Sequence, residues 1–498
     1  MTASAVHASA GSVAPPNSAR ERARRRLVWT ILLIYLLAIF EGAIRKYIAP
    51  QLGQYIFFIR DPFLLYAYIL ATRFGMWPRN EGFFTLSLIM CVFGVLIFVL
   101  QVGAFGLDNT RLLLGVYGWR SYFFYVPLAF LIGAQFRRED LHLFARVTLL
   151  LAIPIAVLVL AQFSSSPNAT INVGVAEEKE LQFKSVGITV ERIRTTGTFT
   201  SPAGQQQFIA SAFALMLAIF LTPNRRGGLV LLALSACGVL TCLGLSGSRG
   251  AMLHCGLVGL FAMSIAFFGK SSAFKTKALV VPLSLAAAAI VLYPIVFPVG
   301  FETFMARWNA AAHNESGIEG GVLGRAILGM FDFVRLLDFV PALGYGIGYG
   351  GNASIMFGAE VDGVRPGVLV EADFSRQMVD LGPVFGLFYI AIRVALVLWL
   401  GRRVLTATRR EPDPLPVLLY AYVSYTLLFG QITGNGTINA YGWLFTGLCI
   451  AASRQVLPLR RPNLNQITRS GRYSSSAVRQ ARPARVSRTI PEPMPDGG

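Results

Sequence analysis

The chain has 498 residues, 54% of them hydrophobic and only 14% charged, with a mean hydropathy of +0.58. Soluble globular proteins carry about a quarter charged residues, so this composition excludes a soluble enzyme and points to an all-α, polytopic integral membrane protein. Of the formal charge of +19, the arginines before Leu27 supply +4 and the tail after Ala452 supplies +7; beside spanning segments such arms read as cytoplasmic flanks facing anionic lipid, not as nucleic-acid-binding surfaces.

Residues 1–26 are polar and rich in Ala, Ser, Pro and Arg, and are expected to form a disordered, basic cytoplasmic N-terminus. The apolar run 27–44 follows Arg24-Arg25-Arg26, lacks a small-residue cleavage site and reads as a retained anchor. Further runs long enough for a hydrocarbon core of about 30 Å lie near 54–72, 83–103, 114–135, 142–163, 205–222, 228–245, 250–269, 278–298, 381–401, 415–431 and 437–453. That gives about twelve spans in a transmembrane domain 27–453, followed by a basic cytoplasmic tail, 454–498, expected to be disordered. Arg60-Asp61-Pro62 interrupts the second run, so its helix is expected to start at Pro62 after a short entry segment.

With the N-terminus inside, the short inner loops carry Arg73 and Arg79, Arg137-Arg138, Arg225-Arg226, Lys270, Lys275 and Lys277, then Arg402-Arg403 with Arg409-Arg410. The outer loops are sparser, with Arg45-Lys46 and Arg111 as exceptions, so both termini are expected in the cytoplasm. This orientation puts four polar stretches on the outer face: 164–204, 246–250, 299–380 and Thr433-Gly434-Asn435-Gly436. Long loops in a compact protein are usually functional.

In the first outer loop, Glu191-Arg192-Ile193-Arg194 and the hydroxyls from Thr195 to Ser201 lead into a helix start. That arrangement suits an anion, and it equally suits a polar loop with ordinary capping chemistry. The turn Leu245-Ser246-Gly247-Ser248-Arg249-Gly250 carries one arginine between two spans. It reads either as a simple connection whose arginine snorkels to headgroups or as part of a site. Val322 to Val340 places Arg325, Asp332 and Arg335 on one face of an expected interfacial helix. Gly344 to Gly351 contains a formal G-x-G-x-x-G, but without a strand–helix unit its glycines read as close backbone approach to a ligand or a neighbouring helix. Tyr345 and Tyr349 there suit a membrane-interface belt or sugar stacking. Glu371-Ala372-Asp373-Phe374-Ser375-Arg376 then enters a span, its acids being either general bases or helix N-terminal charges. The five cysteines lie in apolar runs and the four histidines show no ligand spacing, so neither a metal nor a cofactor is expected.

In this order, Arg194-x-x-Gly197-x-Phe199, Ser246 to Gly250, Gly324-Arg325 with Pro341 and the glycines after Leu343, and Glu371 to Gly382 resemble the O-antigen ligase and polymerase family of bacterial polytopic glycosyltransferases. The likeness covers 190–400; Glu41 to Lys46 and Arg60-Asp61-Pro62 look like a subgroup among exopolysaccharide-synthesis membrane proteins. The resemblance implies a GT-C-like protein of the bacterial inner membrane. Its implied activity is metal-independent transfer of glycan from an undecaprenyl-diphosphate-linked oligosaccharide to a sugar hydroxyl, with polysaccharide assembly or export proteins as possible partners. It implies Arg194 and Arg249 on the diphosphate, Glu371 as base, and Arg192, Arg325, Arg376, Asp373 and Glu191 as further diphosphate or glycan contacts. Family ligases commonly have His-Asn where this chain has Glu371-Ala372, which favours a polymerase over a ligase. The reading from another class is a transporter of lipid-linked glycan or solute, which would place ionisable groups near midplane. A non-catalytic subunit of an export complex is a further alternative.

Overall fold

The computed structural model describes residues 16–79, 81–172, 184–185, 192–222, 229–268, 272–314, 329–361, 363, 367, 370 and 372–456. They form α1 (Pro16–Ala43), α2 (Asp61–Arg73), α3 (Gly82–Phe105), α4 (Asn109–Trp119), α5 (Val126–Gln135), α6 (Arg138–Ser164) and α7 (Pro202–Leu221). The remainder gives α8 (Leu229–Leu245), α9 (Arg249–Ser264), α10 (Ser272–Val296), α11 (Pro298–Asn314), α12 (Asp373–Arg410), α13 (Pro414–Phe429) and α14 (Gly436–Val456). Apart from several shorter helical turns, the other regular structure among these residues is a two-residue antiparallel ladder, Lys184–Ser185 with Arg192–Ile193. The protein is an all-helical, polytopic membrane protein: among the described residues, seven helices are long and apolar enough to cross a membrane.

Those seven cover the runs expected at 27–44, 83–103, 142–163, 205–222, 250–269, 278–298 and 381–401. The other expected runs are helical but shorter, interrupted or less apolar. The run near 54–72 is broken by its entry segment, and 114–135 by a π-turn at Arg120–Phe124. The first helix begins at Pro16, earlier than the expected start at Leu27. Arg20 donates to Gly75 O at 3.3 Å, and Arg24 pairs with Asp140 at 2.6 Å, so part of the basic arm is helix held against its neighbours. Residues 1–15 and the tail from 457 lie outside the described residues.

The core gathers around α7, which is buried on nearly every face and packs against α13, α9 and α8. Its small residues Ala210, Ser211, Ala212 and Ala214 let these neighbours come close. α14 lies along α5, and α6 along α8, where Gly238 leaves room for the α6 backbone at Ala152. By contrast α10 is exposed along most of its length, as a helix facing lipid would be. All five cysteines are free, and three of them are buried among the helices.

Polar bonds between distant residues sort the helix ends into two sets. At one end Arg403 meets Glu81 at 3.1 Å, Arg454 donates to Phe136 O at 2.9 Å, and Arg24 meets Asp140. At the other, Lys46 donates to Thr196 Oγ1 at 2.7 Å, Arg60 to Gly436 O at 3.1 Å, Gln101 to Leu343 O at 2.7 Å and Arg111 to Tyr345 O at 3.1 Å. Three of the four polar stretches singled out in the sequence make these bonds, and the 246–250 turn joins them through Ser248 and Gln206.

Of the segment 322–340, residues before Gly329 lie outside the described set. Asp332–Leu336 forms a 3-10 turn in place of the expected α-helix. Phe333, Leu336 and Leu337 pack on Phe374, Met378 and Ile390 of α12, while Phe331, Val334 and Phe339 remain exposed.

Candidate anion-binding site

The site begins with the loop before α7. Gln162, near the end of α6, accepts from the backbone N–H of Thr196 (3.2 Å) and Gly197 (2.9 Å) and donates to Gly197 O (3.1 Å). One side chain thereby satisfies three backbone groups of a buried turn, which would otherwise be costly to desolvate. Gly197 has φ +56°, a conformation that favours glycine. Phe199 is buried against Phe208 and Tyr441. Gly42 of α1 completes the clamp, because a Cβ there would lie 2.4 Å from Phe199 C and Thr200 N. Within the motif Arg194-x-x-Gly197-x-Phe199, the glycine and phenylalanine therefore shape and anchor the loop, leaving the arginine to face its surroundings.

The 246–250 turn docks on the same support. Thr195 Oγ1 donates to Leu245 O at 3.2 Å and lies 3.2 Å from Gln205 Oε1, while Ser248 Oγ donates to Gln206 Oε1 at 3.4 Å. Ser248 caps α9 by accepting from Ala251 N at 3.2 Å, and Ser246 Oγ accepts from Ser248 N. Gly247 has φ +55°, and a Cβ on Gly250 would come within 2.8 Å of Gln206 Oε1. Arg249 is thus the first residue of α9, and Arg194 directly precedes Thr195, which bonds to Gln205 in the first turn of α7. The two expected cations are brought together. Burial, and then the charge of Arg249, lowers the pKa of Arg194 from its ordinary value, and Arg194 Nε is buried without a hydrogen-bond partner among the described residues. Two guanidiniums in mutual repulsion, one of them at a helix N-terminus, are the kind of chemistry that suits an anion.

A wider set of buried cations continues from this pair. A π-turn, Ile44–Ile48, ends the first helix and carries Arg45 and Lys46. Lys46 is 8% exposed, bonds to Thr196 and makes no ion pair among the described residues. Arg45 and the fully buried Arg60 share Glu41 at 3.5 and 3.2 Å. Arg120, on the second π-turn, pairs with Asp61 beneath Phe57 and Tyr125. Arg111 lies 5.1 Å from the ring centroid of Tyr349. π-turns recur at functional sites, and here both present buried basic residues.

The other sequence candidates divide. Arg376 is buried against Gly434. Asp373 is buried too: one oxygen faces Arg393 and the other accepts from Thr433 N (3.0 Å) and Thr433 Oγ1 (2.9 Å), so both are engaged within the protein. Arg393, further along α12, reaches back toward Asp373 and donates to Gly430 O at 3.0 Å. Glu371, Glu191 and Arg325 lie outside the described residues, as does the side chain of Arg192. The glycine-rich stretch approaches a helix: a Cβ on Gly348 would lie 2.2 Å from Leu114 O of α4. Tyr349 is 2% exposed, so its ring faces Arg111 and has no open face for a sugar.

Lys46, Arg45, Arg60, Arg111 and Arg120 were not among the sequence candidates. A signal for four of them was present, since Arg45, Lys46 and Arg111 are the basic residues that break the sidedness of the loops, and Arg45, Lys46 and Arg60 lie in the two segments that resemble the exopolysaccharide subgroup. No protein-family model matches the chain, and no curated protein matches it.

Proposed function

We propose that the protein is a polymerase-type glycosyltransferase of surface or exopolysaccharide synthesis. It spans the bacterial inner membrane about twelve times in a GT-C-like arrangement, with both termini in the cytoplasm and the cation cluster at the outer face. The donor is an undecaprenyl-diphosphate-linked oligosaccharide, and the acceptor is a sugar hydroxyl. The observation that carries this reading is the convergence of Arg194 and Arg249 on one support, with Arg194 Nε unpartnered among the described residues.

In the transfer, the acceptor oxygen bonds to the anomeric carbon as the bond from that carbon to the diphosphate breaks. The acceptor proton passes to a base, which the family likeness assigns to Glu371, and the leaving group is undecaprenyl diphosphate. Arg194 and Arg249 hold the diphosphate bidentately and stabilise the charge that develops as it departs, which needs no metal ion. Arg192, Arg325, Arg376, Asp373 and Glu191 are the further contacts that the family likeness assigns.

The test is glycan production in cells carrying Arg249→Ala, Arg249→Lys or Glu371→Gln, with membrane levels of each variant checked. Accumulation of single lipid-linked repeats at normal protein level supports the polymerase, and accumulation of long lipid-linked chains supports a ligase. Normal polymer from Arg249→Ala removes the catalytic reading of the turn. A transporter is the second reading, favoured by the break in α12 at Gly382 and the buried Asp373–Arg393 pair. It predicts normal polymer length in all three variants, with substrate retained on the cytoplasmic side.

A further inference from the structure

α1 and α2 run antiparallel, tied at one end by Arg20 to Gly75 O at 3.3 Å and at the other by Arg60 to Glu41 at 3.2 Å. Between them lies an open groove of about 410 Å³, lined by Trp29, Thr30, Leu33, Pro62, Phe63 and Tyr66. Trp29 is 61% exposed and Tyr66 42%, so the groove opens away from the helix bundle.

Its two walls share one pattern. On α1, Arg22, Arg26, Trp29 and Leu33 are exposed at steps of four, three and four residues, which is one face of a helix. On α2, Pro62, Tyr66, Ile69 and Arg73 are exposed at the same steps. Each wall is therefore apolar within the span and ends in arginine beside the Arg20–Gly75 bond. Counted from that bond at about 1.5 Å per residue on both helices, Arg22 comes level with Arg73, Trp29 with Tyr66 and Leu33 with Pro62. From Arg22 to Leu33 the wall runs about 16 Å, the depth of one leaflet of a hydrocarbon core about 30 Å thick.

The carboxylates at this mouth are engaged with other arginines. Glu21 pairs with Arg24 at 3.2 Å and Arg137 at 2.7 Å and lies 3.7 Å from Arg25, while Asp140 holds Arg24 at 2.6 Å. Among the described residues Arg22, Arg26 and Arg73 make no ion pair. An apolar groove one leaflet deep, with arginines at its surface end, matches a phospholipid whose headgroup carries a net negative charge. A zwitterionic headgroup brings its own cation to the arginines and gains less. The lipid-linked donor belongs to the opposite end of the helices, with Arg194 and Arg249.

We infer that the α1–α2 groove binds one anionic phospholipid, its headgroup on Arg22, Arg26 and Arg73 and one acyl chain between Trp29, Leu33 and Tyr66. The inference rests on the membrane-spanning fold and not on the transferase reading, so it stands whether or not Arg249 is catalytic.

The experiment is native mass spectrometry of the full chain released from detergent, titrated with phosphatidylglycerol and, separately, with phosphatidylcholine carrying the same acyl chains. Wild-type protein is expected to take up one phosphatidylglycerol about tenfold more tightly than phosphatidylcholine. Arg22→Gln combined with Arg26→Gln should remove about tenfold of that affinity. Leu33→Trp, which fills the groove and keeps every arginine, should weaken it by a similar factor. Arg409→Gln with Arg410→Gln, at exposed arginines of the same end, should leave it unchanged. All five positions are exposed, so the packed faces of the helices stay intact. Equal binding of the two lipids overturns the inference. An equal loss in the Arg409–Arg410 variant would reduce the effect to general surface charge, and unchanged binding in Leu33→Trp would remove the groove; either result also overturns it. Tighter uptake of undecaprenyl phosphate than of phosphatidylglycerol would make the occupant a polyprenyl lipid and overturn the assignment as well.

Discussion

At the scale of single residues, this protein buries several cations, and some of them have no carboxylate partner among the described residues. Lys46 is the clearest instance, a buried ammonium held by the Thr196 hydroxyl. Replacing a poorly compensated buried charge by an apolar side chain of similar length is often stabilising. Lys46→Met should therefore raise thermal stability by about 1 kcal/mol while lowering glycan production, a split readable by melting in detergent beside an activity assay. A variant that loses both stability and product would make Lys46 a structural residue only. Gly42 gives the opposite sign. A Cβ there would lie 2.4 Å from the backbone of Phe199 and Thr200, so the loop must move. Gly42→Ala should cost about 1–3 kcal/mol, as overpacking generally does, and unchanged melting would disprove the clamp. The residues alone left Arg194 and Arg249 open between an anion and ordinary loop roles, and the family likeness put both on the diphosphate. Neither revealed Gly42, Gln162 or Gln206, because a glycine or an amide within an apolar run looks the same whether it faces lipid, core or site.

At the scale of elements, α12 is two helices joined at Gly382, whose φ of +78° breaks the run before Pro383. A Cβ at Gly382 would meet Ala342 O at 2.2 Å, and one at Gly344 would meet Gly382 N at 2.6 Å, so the first half-helix and the glycine-rich loop approach each other backbone to backbone. The junction carries both a left-handed conformation and a steric limit, each costing about 1–3 kcal/mol when violated. Gly382→Ala should accordingly lower stability by about 2–4 kcal/mol in a thermal melt and release Arg376 from the loop at Gly434; a melt like that of the parent would contradict this account. The apolar periodicity made the second half of α12 legible as a span. The half-helix before the break was legible only as a polar entry, since its packing depends on residues distant in sequence. The expected interfacial helix met a similar limit. Its apolar pattern was real, but Phe333, Leu336 and Leu337 use it to pack on α12 as a 3-10 turn.

At the scale of the whole molecule, the charge pattern argues for one orientation more strongly once burial is counted. Arg73, Arg79, Arg137, Arg138, Arg402, Arg409 and Arg410 are exposed, on the inner side of the proposed orientation. The exceptions at the opposite end, Lys46 and Arg111, are buried, and the side chain of Arg45 is 11% exposed. The positive-inside rule concerns basic residues that remain in the loops beside headgroups, so cations folded into the protein do not count against it. Ser166 and Glu411 are exposed at opposite ends, and each is near a loop expected to tolerate a small substitution. A membrane-impermeant maleimide applied to intact spheroplasts should label Ser166→Cys at once and Glu411→Cys only after permeabilisation, with the native cysteines as the background control. Labelling of Glu411→Cys alone would turn the protein over and put the arginine cluster in the cytoplasm, away from a donor presented at the outer face. Labelling of both before permeabilisation would deny that the two ends lie across a bilayer. The expected pattern would leave the cations facing the compartment in which a lipid-linked glycan is extended, and would make glycan production by Arg249→Ala cells the next measurement.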